Sequence, residues 1–213
     1  MTRPLVIRKD LGAMRIEPNL VDWERTRAQF SWQQAREALH GLPGGGLNIA
    51  FEAVERHARG PRAGHVAIRW LGRDGASRDL TYAELSALSN RFANALASLG
   101  LRAGDRIFML ASRLPELYVA VLGALKAGLV VSPLFSAFGP EPIATRMNLG
   151  EGRAIVTTAA LFRRKLGQLR ERVASLEHLI LIPEPGAEPD AMAAALAADA
   201  RNHDMSRLLA EAS

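Results

Sequence analysis

The sequence contains no cysteine among its 213 residues. A chain without cysteine can build no disulfide framework, and it has no thiolate to act as a nucleophile or to bind zinc. The five histidines are scattered along the chain, without the intervals typical of metal ligands, at positions 40, 57, 65, 178 and 203. The sequence therefore predicts no disulfide, no metal site and no catalytic Ser–His–Asp or Cys–His set.

Aromatic residues and lysines are also scarce. Aromatic residues make up 6% of the chain, which argues against an extended surface for stacking nucleic-acid bases. The net charge is +5, and arginine carries almost all of the positive charge because the only lysines are Lys9, Lys126 and Lys165. The arginines are dispersed, apart from the run Arg163-Arg164-Lys165. We therefore expect no nucleic-acid partner.

Long apolar runs are missing as well. The N-terminal stretch MTRPLVIRKD does not have the pattern of a signal peptide. The most apolar segment, residues 117–135, is interrupted by Lys126 and Gly128 and is typical of a buried helix followed by a strand. The sequence predicts a cytoplasmic protein that does not bind a membrane.

Short apolar segments alternate with helical patterns in the middle of the chain. Strands are predicted at residues 106–110, 129–132, 154–157 and 178–182. Helices are predicted between them at residues 115–126, 141–149 and 160–173. This alternation indicates right-handed crossovers and a doubly wound parallel α/β sheet covered on both faces. A β-hairpin at residues 65–80 and a helical N-terminal extension precede it.

Composition divides the chain into three stretches. Residues 1–46 form an extension and linker, which ends in a triple glycine. Residues 47–182 carry the α/β pattern, and residues 183–213 begin with the loop PEPGAEPD and continue in helical patterns. Two capping boxes, Ser31 to Gln34 and Thr81 to Glu84, predict the starts of helices.

The stretch PLFSAFGPEP, residues 133–142, directly follows a predicted strand. Ligands of open parallel sheets bind beyond the carboxyl ends of the strands, where this stretch would lie. The pattern alone leaves two interpretations open. The phenylalanines could belong to the core while the prolines end the strand, or the rings and small residues could line a ligand site.

Residues 79–128 resemble the N-terminal part of the adenylate-forming, AMP-dependent acyl-CoA synthetase superfamily. The resemblance rests on Leu80-Thr81-Tyr82, on Gly104-Asp105 and on Leu125-Lys126-Ala127-Gly128 before an apolar strand and a proline. Two further stretches resemble the acetyl-CoA synthetase branch, namely GLPGGGLNIAFEAVERH at 41–57 and PLFSAFGPEPIATRM at 133–147. The likeness covers roughly residues 20–182.

The resemblance implies a full-length enzyme that uses ATP with Mg²⁺ and CoA as co-substrates, none of which we expect residues 1–213 alone to hold tightly. Acetate, or another short carboxylate, would become an acyl-adenylate, and the CoA thiol would then displace AMP.

Such chemistry needs a Ser/Thr/Gly-rich phosphate loop and a lysine near the reacting phosphate. No such loop occurs in residues 1–213, and MSRLLAEAS at the end resembles the helix that precedes it. We therefore expect an N-terminal part of the synthetase that has no catalytic residues and is inactive alone. A C-terminal part or a second chain would complete it.

The resemblance also implies a CoA site. Phe135, Ser136 and Ala137 match a loop beside the CoA nucleotide, and Arg163 and Arg164 are the nearest matches to arginines that hold its phosphates. A ring and small residues can pack on adenine, while guanidinium groups bind phosphate in a fork. The alternative interpretation of the basic run is a solvated helix face.

Two other functions remain open from the sequence. One is a non-catalytic module that binds CoA or a partner. The other is a synthetase for a medium-chain acyl, aryl or amino-acid substrate, since the resemblance places the acyl pocket outside residues 1–213.

Overall fold

The computed structural model describes residues 10–186 and 189–212. The chain divides into two compact units, Met1–His40 and Gly41–Ser213. The boundaries after residues 46 and 182, predicted from composition, stay predictions.

The first unit contains two short helices, α1 (Trp23–Gln29) and α2 (Trp32–Glu37). The predicted cap of α2 is present, because the Gln34 backbone N–H donates to the Ser31 hydroxyl at 3.2 Å. The helix does not bury an apolar face, however, since the side chain of Trp32 is 82% exposed.

The second unit begins with a π-helical turn, Phe51–Glu55, that continues into α3 (Arg56–Ala58). The antiparallel strands β1 (Val66–Leu71) and β2 (Ser77–Thr81) form the predicted hairpin. Helix α4 (Tyr82–Ser98) follows directly, and both hydrogen bonds of the predicted capping box between Thr81 and Glu84 are present. This helix therefore starts where the local signal places it.

Within the described residues, five strands form one parallel sheet. They are β3 (Arg106–Leu110), β4 (Val130–Pro133), β5 (Ala154–Thr158), β6 (His178–Ile182) and β7 (Asn202–Asp204). Their order in the sheet is β4-β3-β5-β6-β7. The chain runs from β3 to β4 on one side and then crosses to β5 on the other. This reversal confirms the predicted doubly wound α/β fold and places a ligand crevice at the carboxyl ends of the strands.

The helices after β3 cover both faces of the sheet. They are α5 (Pro115–Lys126), α6 (Pro140–Leu149), α7 (Ala159–Leu161), α8 (Leu169–Arg172), α9 (Pro189–Ala197) and α10 (Met205–Glu211). Helices α4, α5 and α10 contribute to one core cluster, and α6, α8 and α9 contribute to the other. Alternate residues of β3 point into the two clusters, with Ile107 in the first and Phe108 in the second.

The segment predicted as one helix over residues 160–173 is divided in the structure. Helix α7 passes into a π-helical turn, Phe162–Leu166, before α8 begins. Leu161 and Leu166 are both buried in the same core cluster. Residues five apart lie on one side of a π-helix but not of an α-helix, which explains the wider turn.

Strand β7 was not predicted, because its sequence Asn-His-Asp has no apolar character. It is joined to β6 by backbone pairing and by two histidine rings, with His178 Nδ1 and His203 Nε2 3.1 Å apart. Burial lowers the pKa of both imidazoles, and each lies near Arg170, while Glu177 and Arg153 also act on His178. The folded chain therefore resists protonation of this pair.

We predict that the histidine pair makes stability fall in mild acid. The folded pKa values lie below the ordinary 6.5, so the unfolded chain binds more protons just below that pH. The free energy of unfolding should therefore fall as the pH drops from about 8 through the ordinary histidine pKa, because the unfolded chain takes up protons that the folded pair does not. Urea denaturation should show a smaller pH dependence for His203→Gln, while the exposed control His65→Gln should match the parent. Equal pH dependence for all three proteins would contradict the prediction.

None of the helices in residues 10–186 and 189–212 has the length and apolar character needed to span a bilayer.

Candidate functional site

The loop after β4 leaves the sheet at its ligand-binding edge. The Leu134 N–H donates to the Met109 carbonyl of β3 at 2.8 Å, which extends the strand pairing by one residue. The chain then turns, and the Phe138 N–H donates to the Phe135 carbonyl at 3.0 Å. This turn presents three consecutive exposed residues, Phe135, Ser136 and Ala137.

The two phenylalanines of this loop have different surroundings. Phe138 packs against the core cluster beneath α6, and the guanidinium carbon of Arg146 lies 4.2 Å from the centre of its ring. Phe135 is 66% exposed and meets the Phe138 ring edge-to-face, with centroids 5.8 Å apart. The core interpretation therefore fits Phe138, while a ligand site at Phe135 stays a prediction. Phe138 supports the core, whereas Phe135 offers a free aromatic face.

The basic run lies next to this loop. The Lys165 ammonium donates to the Ser136 carbonyl at 2.5 Å and to the Phe138 carbonyl at 2.7 Å. The structure thus brings the basic run to the loop through Lys165, while Arg163 and Arg164 line a cavity next to Lys165. A shared ligand site of Phe135–Ala137 and the two arginines stays a prediction. Lys165 was not among the predicted site residues, although the run that contains it was the signal that could have found it.

A cavity of about 220 Å³ opens beside the loop. It is lined by Pro140, Arg163, Arg164, Lys165, Gly167, Gln168, Leu169 and Arg172. Four of these eight described residues are cationic and none is acidic. One of the four cations, Arg172, is paired with the carboxylate of Glu141. The cavity is therefore suited to an anionic group such as a phosphate.

Three consecutive basic residues line this cavity. Arg163, Arg164 and Lys165 all lie in the π-helical turn Phe162–Leu166. Arg164 Nε donates to the Ala160 carbonyl at 3.2 Å, which leaves the terminal nitrogens of its guanidinium for a ligand. Sequence reasoning missed Arg172, because nothing in its local pattern links it to a loop more than thirty residues earlier.

A family model described as AMP-binding enzyme matches residues 54–209. The chain belongs to this family. The predicted likeness to adenylate-forming acyl-CoA synthetases is thereby confirmed.

Curated relatives of this chain include the acetyl-coenzyme A synthetase of Bacillus subtilis, which is 37% identical over 159 residues. That match covers 73% of the chain and 27% of the relative. The 3-hydroxypropionyl-coenzyme A synthetase of Metallosphaera sedula is 32% identical, with 73% of the chain and 23% of the relative covered. The chain spans about a quarter of the length of these relatives.

Solved structures agree with this assignment. The acyl-CoA synthetase of Brucella canis superposes with a TM-score of 0.73 at 30% identity, over 90% of the chain and 32% of that protein. The acetoacetyl-CoA synthetase of Streptomyces lividans gives a TM-score of 0.66 at 25% identity, over 78% of the chain and 25% of that protein.

Proposed function

We propose that this chain forms the coenzyme A-holding part of an AMP-forming acetate–CoA ligase. One observation carries the proposal: an exposed aromatic ring, Phe135, and a cationic cavity are joined by the hydrogen bonds of Lys165. A ring beside a cluster of guanidinium groups matches a nucleotide that carries phosphates. The names of the acetyl-coenzyme A synthetases at 30–42% identity support acetate as the acyl group.

The proposed reaction has two steps. A carboxylate oxygen attacks the α-phosphorus of ATP and pyrophosphate leaves; the CoA sulfur then attacks the acyl carbon, AMP leaves, and the thiol proton is lost. In these steps the chain would orient CoA, with Phe135, Ser136 and Ala137 against the adenine and with Arg163 and Arg164 on the phosphates. ATP with Mg²⁺ and the acyl group would be bound by other parts of the complete enzyme, so we expect no adenylation by the chain alone.

Calorimetric titration of the 213-residue chain with CoA tests this proposal. We expect Arg163→Ala/Arg164→Ala to weaken CoA binding at least about tenfold, because hydrogen bonds to charged groups contribute about 1.5–3 kcal/mol each. Phe135→Ala should weaken CoA binding about tenfold, because the stacking of the ring on the adenine is lost.

The matched control is Arg207→Ala. Arg207 lies on α10, which contributes to the other core cluster, and its side chain is 78% exposed. This variant should bind CoA like the parent. Absence of CoA binding by the parent, or equal binding by all variants, would overturn the assignment of the site.

The acyl substrate has a second candidate class. The 3-hydroxypropionyl-coenzyme A synthetase and a benzoate CoA ligase of Burkholderia xenovorans, with a TM-score of 0.60 at 26% identity, favour a carboxylate other than acetate. A panel of acetate, 3-hydroxypropionate, medium-chain, aryl and amino acids on the complete enzyme decides between them. Preference for any acid well above acetate would contradict our choice.

A non-catalytic module is the alternative to a ligase. The intact mass of the native polypeptide, captured with an antibody to residues 1–213, separates the two. A mass several-fold above 23.1 kDa supports the ligase, whereas 23.1 kDa without a second subunit supports the module. Cytoplasmic location and the lack of nucleic-acid or membrane partners stay predictions.

A further inference from the structure

We infer that Lys165 is a positioning residue that orders the Phe135–Phe138 loop and sets its place beside the cationic cavity. Its ammonium bonds the carbonyls of Ser136 and Phe138, at 2.5 Å and 2.7 Å. The role in CoA binding that follows from this rests on the proposed function. The ordering of the loop by Lys165 does not.

The Phe138 end of the loop is held by packing of its ring against the core cluster and Arg146, but residues 135–137 have little else to hold their shape. The loop's own backbone supplies one turn hydrogen bond, from the Phe138 N–H to the Phe135 carbonyl. Residues 135–137 are exposed, so little apolar burial holds them in place. Two charge-assisted hydrogen bonds from a half-buried ammonium are therefore a large share of what orders this turn.

The same geometry separates Lys165 from the arginines of the cavity. An ammonium has three protons, and two of those on Lys165 are directed to backbone carbonyls. It therefore has little left to offer a phosphate, whereas Arg164 uses only its Nε within the chain and keeps the two terminal nitrogens of its guanidinium at the cavity wall. We assign the phosphate contacts to the arginines and the spacing between ring and cavity to Lys165.

Hydrogen exchange without any ligand tests the first part. In Lys165→Met the apolar stem is retained and both hydrogen bonds are lost. We expect the Phe138 backbone amide, whose turn hydrogen bond to the Phe135 carbonyl depends on the ordered loop, to exchange about tenfold faster than in the parent. Lys165→Gln, which keeps one N–H donor, should give an intermediate rate and serves as the second variant if Lys165→Met does not fold.

Arg164→Met is the matched control, since it removes a neighbouring positive charge and leaves the Lys165 hydrogen bonds in place. Its loop should exchange at the parental rate, although its affinity for CoA should fall. Unchanged exchange in both Lys165 variants, or equally faster exchange in Arg164→Met, would overturn the positioning role.

A double-mutant cycle tests the second part. If Lys165 acts by placing the Phe135 ring, Lys165→Met should weaken CoA binding about tenfold alone but less than about twofold when Phe135 is already alanine. Arg164→Ala should weaken CoA binding by the same factor in the parent and in the Phe135→Ala background. Additive effects of Lys165→Met and Phe135→Ala would overturn the link to the ring. A parent chain that does not bind CoA would refute the proposed function alone, because the exchange experiment still decides the role of Lys165.

Discussion

Lys126→Met is expected to lower the free energy of unfolding by about 1.5–3 kcal/mol, because it removes a charged hydrogen-bond partner of the buried Glu55 carboxylate, which then keeps Ser86 and Arg59 as partners. The side chains of Lys126 and Glu55 are only 11% and 12% exposed, and their charged atoms lie 3.0 Å apart. The ammonium also donates to the Asn90 side chain at 2.7 Å and approaches the Ser86 carbonyl at 3.3 Å. The substitution therefore breaks a network that ties the π-helical turn to α4 and α5.

The titration of Glu55 gives an independent check. Burial raises the pKa of this carboxyl, but hydrogen bonds from Ser86, Lys126 and Arg59 outweigh that effect and lower it to about 2. Since the ordinary value is 4.5, the unfolded chain binds more protons between these two values, and stability is lost as the pH falls through that window. Lys126→Met should therefore show less loss of stability in this window than the parent.

Urea denaturation, monitored by circular dichroism at several pH values, measures both the lost free energy of unfolding and its changed pH dependence. Glu151→Gln is the matched control, because Glu151 pairs with Arg106 on the surface and is 77% exposed. Surface ion pairs contribute about 0–1 kcal/mol, so this control should remain close to the parent. A Lys126→Met variant that lost less than about 1 kcal/mol would mean that water solvates the Glu55 site.

Gly123→Val is expected to lower the free energy of unfolding by about 3 kcal/mol or more, because α4 and α5 are in direct backbone contact at this glycine. A Cβ atom at position 123 would lie 2.8 Å from the Ser89 carbonyl oxygen and 2.9 Å from Phe92 Cβ. Both neighbours belong to the helical backbone or to the first atom of a side chain, so no change of rotamer can relieve the clash. The two helices would have to separate, and this would open the core around the fully buried Phe92.

Gly64→Val is the control for this prediction, since nothing lies within 4 Å of a Cβ at position 64. It should change stability by less than about 1 kcal/mol. The double variant Phe92→Leu/Gly123→Ala should lose less free energy of unfolding than the two single variants lose together. Both substitutions act on the same contact between α4 and α5, so their effects should not add. Equal stabilities of Gly123→Val and Gly64→Val would show that α4 and α5 can repack freely.

The elements that the sequence predicted well are those specified by neighbouring residues. Strands β3 and β6 begin and end at the predicted residues, since each is a short apolar run between polar residues. The start of α4 follows from the reciprocal bonds of Thr81 and Glu84, which are three residues apart. Such signals act within one turn of helix or one strand, so they can be recognised without knowledge of the fold.

The elements that the sequence did not predict depend on distant partners. Strand β7 is polar and becomes a strand only because the edge of β6 offers it backbone hydrogen bonds. The helix predicted over residues 160–173 is divided because Leu161 and Leu166 must reach the same core. Neither requirement is visible in the local pattern.

The same division holds for the candidate site. The sequence by itself determined the family, the order of strands and helices, and the identities of Phe135, Arg163 and Arg164 as candidates. Only the tertiary structure decided that Phe135 is exposed while Phe138 is packed, and that Lys165 joins the loop to the cavity. The reason is physical: a hydrogen bond between residues 29 positions apart forms only after the sheet has brought the ends of β4 and β5 to the same edge.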